Sequence, residues 1–257
     1  MRVVILDSPK EIGAYGAGII LEGLHKGKIR TLGVATGSSP LVIYRALAKQ
    51  WNPAIAQLNA FALDEYVGLP AESPQSYRSV VAREVTHRLR LDPDNVHVPD
   101  GCAGDLDFEC ERYEAAMAAA GGVDLQLLGI GRNGHIGFNE PSSSLSSRTR
   151  PKTLTADTRR DNARFFASPD EVPRQCLTQG LGTILDAAEV LLVAQGPTKA
   201  EAVRAALEGP VSSVCPASVL QMHRRATVLL DEAAAQHLAL REYYLDTERN
   251  RIKGTRK

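Results

Sequence analysis

Cysteine is scarce in this 257-residue chain: Cys102, Cys110, Cys176 and Cys215 are scattered, with no CxxC pair and no histidine nearby at metal-ligand spacing. That scatter argues against a disulfide framework or a zinc site and points to a reducing, cytoplasmic setting. Net charge is absent as well, because 30 Lys and Arg cancel 30 Asp and Glu. No overall positive field exists to draw the chain onto nucleic acid or an anionic membrane, so a charged ligand must be met by local groups. Long apolar runs are missing too. The amino-terminal run ends at Asp7, and no other stretch approaches the roughly 18 apolar residues of a membrane span, so neither secretion nor insertion is expected. With 44% hydrophobic and 23% charged residues the composition is that of an ordinary globular chain, not a disordered one. There is no internal repeat and no linker-like shift in composition, so residues 1–257 read as one domain.

Short runs rich in Val, Ile and Leu alternate with helix-like segments, the pattern of strands joined by crossover helices in a mostly parallel α/β sheet. Strands are expected over 3–6, 32–35, 59–63, 125–129, 190–194 and 227–230. Helices are expected over 11–25, 40–50, 77–88, 106–119, 198–207 and near 232–245. The stretch 141–172 is polar and rich in hydroxyls, with a short helix expected around 157–166. It reads as a functional loop or lid, the alternative being a tolerated surface insertion.

Several motifs directly follow expected strands. Thr36-Gly37-Ser38-Ser39-Pro40 opens a helix, where glycine permits close backbone approach and free N–H groups and two hydroxyls suit a phosphate-sized anion. It lacks the Gly-Lys-Ser/Thr of a nucleotide P-loop, and an ordinary serine helix cap is the alternative. In Leu63-Asp64-Glu65-Tyr66, adjacent side chains of an extended chain point opposite ways, so one carboxylate faces a ligand while the other caps or pairs. Asp64, nearest the strand, is the candidate proton carrier; a solvated turn is the alternative. Gly129-Ile130-Gly131-Arg132-Asn133-Gly134 matches GxGxxG, but Gly137 and Pro141 follow instead of a helix, which disfavours a dinucleotide. The same segment offers His135 in a glycine-supported turn between Asn133 and Glu140, suited to general acid–base work near neutral pH. Arg164 and Lys199 can reach an anion over the same sheet edge or be plain surface charges.

Together these segments resemble the glucosamine-6-phosphate deaminase (glucosamine-6-phosphate isomerase) family. The resemblance begins at Leu32, and its most specific run is His135-Ile136-Gly137-Phe138-Asn139-Glu140-Pro141; 34–40, 63–69 and 147–150 follow the same order as in the family. It implies a modified Rossmann-like fold with a mostly parallel central sheet flanked by helices and a lid at about 151–173, working with neither cofactor nor metal. The implied reaction converts D-glucosamine 6-phosphate and water to D-fructose 6-phosphate and ammonium. Carried over by position, His135 assists ring opening with Asn133 and Glu140 orienting it, and Asp64 moves the C2 proton. Gly37, Ser38, Ser39, Arg164 and Lys199 hold the phosphate. Some family members carry Asp where this chain has Asn133, which leaves Glu140 as the carboxylate able to raise the basicity of His135.

Hexameric, allosterically activated relatives bind N-acetylglucosamine 6-phosphate with residue types matched here by Ser143, Arg150, Lys152, Thr153 and Tyr243. The resemblance therefore extends to a homo-oligomer, up to a hexamer, with that effector as a partner; a solvated basic stretch redirected by Pro151 is the alternative. Two rival functions stand beside the deaminase. One is a 6-phosphogluconolactonase-like hydrolase, which has no need of the Asp64 proton shuttle. The other is a catalytically silent sugar-phosphate sensor, against which the presence of both Asp64 and His135 argues.

Overall fold

The computed structural model describes residues 1–254. Its first part runs β1 (Arg2–Leu6), α1 (Pro9–His25), β2 (Thr31–Val34), α2 (Ser38–Lys49), α3 (Pro53–Ala56), β3 (Asn59–Ala62) and β4 (Asp64–Tyr66). There follow α4 (Tyr77–Val81), α5 (His87–Leu89), β5 (Val96–His97), α6 (Leu106–Ala119), β6 (Leu125–Leu128), β7 (Arg150–Thr153) and α7 (Ala156–Asn162). The last part contains β8 (Gln175–Thr178), α8 (Leu181–Leu185), β9 (Glu189–Ala194), α9 (Ala200–Glu208), β10 (Ala226–Asp231), α10 (Glu232–Ala235) and α11 (Arg241–Gly254). No helix among the described residues is long and apolar enough to cross a membrane.

Seven strands pair in parallel in the order β1-β10-β9-β6-β2-β3-β5. Side chains alternate across the sheet, and helices cover both faces. On one face Leu191 and Val193 of β9 pack with Ile12 and Ile20 of α1 and Ile43 and Leu47 of α2. On the other, Val190, Leu192 and Ala194 pack with Ile184 of α8 and Val203 and Leu207 of α9. Burial on both faces is why these strands read as continuous apolar runs. All six expected strands belong to this sheet; the two-residue β5 at its edge was too short to expect.

A second sheet, antiparallel and ordered β4-β8-β7, was not expected. Asp64 pairs with Thr178 on one side of β8, and Arg150 pairs with Thr178 on the other. The expected lid therefore begins in a strand, β7, where Pro151 is tolerated at the sheet edge. It continues through α7, close to the short helix expected there.

Two helices also differ from expectation. The stretch 77–89 is helical throughout but widens to a π turn over Ala82–Thr86, and it stops at Arg90 in the left-handed conformation. The terminal helix expected near 232–245 is split into α10 and α11. The Glu208 carboxylate accepts hydrogen bonds from the backbone N–H of Ala239 and Leu240, both at 2.8 Å, which diverts those donors from a continuous helical ladder.

Candidate active site

Four of the motifs leave the carboxyl ends of four neighbouring parallel strands. The elbow at Thr36 follows β2, Asp64 follows β3, the turn 129–140 follows β6, and Gln195–Lys199 follows β9. Parallel pairing places all four along one edge of the sheet, where ligands of open α/β sheets are bound.

Asp64 and Glu65 divide their roles by strand alternation. Glu65 Oε1 accepts from the N–H groups of Tyr66 and Tyr77, and Oε2 from that of Arg78, each at 2.8 Å. It caps the start of α4 together with Ser76, whose hydroxyl accepts from Ser79 N–H. Asp64 is 5% exposed, and its carboxylate accepts no hydrogen bond among the described residues. Burial, reinforced by the like charge of Glu65, pushes its carboxyl up to about 8. Tyr66 and Tyr77 stand near it, their hydroxyls 3.5 Å apart.

The turn after β6 is built on close backbone approach. A side chain at Gly131 would put its Cβ 2.1 Å from Cε1 of His135, so the imidazole lies flat on that glycine. Gly137 adopts φ 55°, and a Cβ there would lie 3.5 Å from Asp64 Oδ2 and 3.0 Å from Thr178 Oγ1. The Asp64 carboxylate thus packs against the same turn that presents His135. Asn139 fastens the turn from below, donating to the carbonyls of Ile136 and Gln179 at 2.9 and 2.8 Å.

A relay fixes the imidazole. Asn133 Nδ2 donates to Glu140 Oε2 at 2.9 Å, and Asn133 Oδ1 lies 2.7 Å from His135 Nδ1. An ionised carboxylate only accepts, so the amide nitrogen faces Glu140 and the amide oxygen faces the ring; Nδ1 then carries the proton and Nε2 is the basic nitrogen. Glu140 Oε2 itself is 3.7 Å from Nδ1. Burial lowers the pKa of His135, opposed by Glu140 and assisted by Lys199, so the neutral ring is favoured. Burial works against the ionised form of Glu140, yet hydrogen bonds from Asn133 and Thr155 and the nearby imidazole hold it below the usual carboxylate range.

At the expected anion site, Gly37 is the helix cap of α2, and Ser38 and Ser39 lie inside its first turn without capping it. The first N–H groups of this twelve-residue helix therefore have no side-chain cap. Gln195 donates to the Ser39 carbonyl at 3.2 Å, tying this elbow to the turn that carries Lys199. Lys199 is half-buried; desolvation lowers its pKa, and Asp161, Arg132 and Arg164 all act on it electrostatically. Arg164 is exposed and rests over the Phe165 ring.

A cavity of about 330 Å³ opens beside the imidazole, lined by Arg132, Asn133, His135, Asp157, Thr158, Arg160 and Asp161. Asp64 is not among its walls; beside it Tyr66, Tyr77, Phe138 and Phe166 form an aromatic cluster with ring centroids 4.8 to 5.7 Å apart. The sequence reading missed Arg132, Tyr66, Tyr77, Thr155 and Thr158. The pattern Thr155-x-x-Thr158 opening a helix was the available signal for the last two. Among the described residues no group of three or more His, Cys, Asp or Glu is arranged to hold a metal ion.

Of the residues matched to an effector site, Arg150, Lys152 and Thr153 share one strand while Tyr243 lies far from them. Ser143 is buried, Arg150 and Lys152 lie on β7, and Thr153 ends that strand exposed. Tyr243 is 65% exposed on α11, which packs against β1 at the far edge of the main sheet. Arg148, not Arg150, makes the ion pairs of this region, with Glu114 and Asp186.

A parallel sheet that carries a buried carboxylate and an oriented imidazole along its carboxyl edge is the arrangement of an acid–base enzyme. The chain belongs to the family of glucosamine-6-phosphate isomerases and 6-phosphogluconolactonases, whose pattern it matches over residues 11–229. It is 57% identical to a glucosamine-6-phosphate deaminase of Arthrobacter sp. (strain FB24), covering 96% of each chain. It is 52% identical to that of Cutibacterium acnes, covering 99% of each. Its structure superposes with a TM-score of 0.88 on a monomeric glucosamine-6-phosphate deaminase, at 41% identity over 92% of this chain and 100% of that one. A 6-phosphogluconolactonase from Thermotoga maritima shares the fold, with a TM-score of 0.71 at 20% identity over 90% and 98% of the two chains.

Proposed function

We infer that the protein deaminates D-glucosamine 6-phosphate to D-fructose 6-phosphate and ammonium, with residues 1–257 acting as one catalytic unit under a lid at about 151–173. The observation that carries this reading is the packing of the Asp64 carboxylate against Gly137, in the turn that presents His135. The substrate is a closed pyranose. His135 Nε2 takes the proton of the C1 hydroxyl and returns one to the ring oxygen, which yields the open aldehyde. Asp64 removes the C2 proton and delivers it to C1, passing through an enolamine and leaving an imine at C2. Water adds to that carbon and ammonia departs, leaving the ketone. A carboxyl near 8 suits both halves of the transfer, since it is a strong base when ionised and a ready donor afterwards.

Gly37, Ser38, Ser39 and Lys199, with Arg164 from the lid, hold the phosphate, and that anchorage fixes the reacting carbons. The four free thiols suit a cytoplasmic setting. The test is ammonium release from glucosamine 6-phosphate by the purified protein, run beside hydrolysis of 6-phosphogluconolactone. Lactone hydrolysis without ammonium replaces this reading with the hydrolase; neither activity replaces it with the sensor.

A second reading adds an allosteric N-acetylglucosamine 6-phosphate site in a homo-oligomer. What favours it is Arg150, a guanidinium with no carboxylate partner among the described residues, whose pKa is lowered by burial and which donates to the Arg148 carbonyl at 3.3 Å. Sigmoidal kinetics made hyperbolic by that compound supports the reading; hyperbolic kinetics unaffected by it removes it.

A further inference from the structure

We propose that Thr155, at the start of the lid helix α7, is a positioning residue that clasps the Glu140 carboxylate and keeps it acting on His135. The proposal rests on the deaminase reading and adds to it a direct bond between lid and relay. Glu140 is 2% exposed. Its Oε1 receives the Thr155 hydroxyl at 3.1 Å and the Thr155 N–H at 3.3 Å, while Oε2 is taken by Asn133. Thr158 is itself buried, its hydroxyl 3.2 Å from that of Thr155. Thr155 Oγ1 accepts from Thr158 N–H at 3.2 Å, so the residue that caps α7 also holds the carboxylate. A carboxylate is a stronger acceptor than a hydroxyl, so the hydroxyl proton of Thr155 goes to Glu140.

The other end of α7 reaches the second proton station. Asn162 Nδ2 donates to Tyr66 Oη at 2.9 Å, two residues beyond Asp64 in β4. Asp161 pairs with Arg132, next to Asn133 in the His135 turn. Displacing this seven-residue helix therefore removes donors from Glu140 and from Tyr66 together. The other charged groups near the relay are Lys199 and Asp161, which act on the imidazole, and Arg132.

Thr155→Val keeps the shape of the residue and its backbone N–H but removes the hydroxyl donor to the ionised carboxylate. Losing that donor raises the pKa of Glu140, which carbon NMR titration of its carboxyl reads as an upward move of about half a pH unit or more. Turnover falls at least about threefold with KM changed less than about twofold, and Thr155→Ser restores both the titration and the rate. A Glu140 titration that stays in place, even with slower turnover, overturns the proposal, because a merely structural hydroxyl lowers rate without moving it. Should Thr155→Val fail to fold, Thr155→Gly, a tolerated helix cap with no side-chain donor, is read the same way. Carbon NMR titration of the Glu140 carboxyl in the unsubstituted protein and the variant makes the comparison without turnover. A deaminase reading that fails in the unsubstituted protein is thereby told apart from a clasp that fails.

Discussion

Asn133 Nδ2 donates to Glu140 Oε2 at 2.9 Å, and that single bond decides which nitrogen of the adjacent imidazole is basic. An amide has one accepting end and one donating end. With the donating end committed to a carboxylate, the accepting end must meet a protonated Nδ1. A charged residue is therefore not required at 133 for the orientation of His135, only an acceptor whose direction is fixed by Glu140.

Replacing Asn133 by Asp keeps the acceptor and adds a negative charge. The imidazolium is then stabilised and its pKa rises, while the new carboxylate and Glu140 repel each other. Asn133→Asp is expected to retain activity within about tenfold above pH 7.5 and to move the acidic limb of kcat/KM upward by about one pH unit. Steady-state profiles of the two proteins check this; superimposable profiles show that Asn133 has no influence on the titration of His135.

Glu140→Gln leaves a neutral group that can no longer accept from Asn133 and Thr155 with equal strength. The fixed amide orientation is lost, and so is the carboxylate that favours a charged ring. Turnover is expected to drop at least about tenfold. Near-normal turnover in this variant removes Glu140 from the mechanism.

The candidate site was largely legible in the sequence, because its motifs sit at the ends of apolar strands and a parallel sheet brings those ends to one edge. The division of labour between Asp64 and Glu65 follows from strand alternation alone. The second sheet was not legible. Asp64 pairs with Thr178 across more than a hundred residues, and β7 and β8 are four residues each, with Pro151 in one of them. Nothing local signals such a pairing. The threonine clasp was hidden for a different reason: Thr155-x-x-Thr158 reads as an ordinary helix start, and its second role depends on a carboxylate 15 residues earlier.

Asp64→Asn separates function from stability. Burial raises the Asp64 carboxyl from its ordinary 3.8 to about 8, so the folded chain binds this proton more tightly than the unfolded chain does. The resulting stabilisation is complete below the unfolded value and is lost as pH rises through the folded one. Asparagine stays neutral throughout. The variant is expected to lose activity by about a thousandfold or more, yet to gain in Tm relative to the parent, the gain being larger at about pH 9 than at about pH 5. Thermal melts at the two pH values check the sign; a Tm difference that does not grow with pH shows that Asp64 is ionised in the folded chain at both.

Lys199 carries the prediction about substrate recognition. It is half-buried, within electrostatic reach of His135, and its turn is tied to the Ser39 carbonyl through Gln195. A cation whose pKa burial lowers gains most from a doubly charged phosphate, because that partner offsets the lost hydration. Lys199→Ala is therefore expected to raise KM for glucosamine 6-phosphate about tenfold or more, with a smaller change in kcat. Arg164→Ala is expected to do less, since that guanidinium is exposed and already rests on Phe165. Glucosamine without its phosphate supplies the control: kcat/KM for it should be equally poor in the parent and in Lys199→Ala. A variant that loses both substrates in proportion places Lys199 at the reacting carbons instead of at the anionic end.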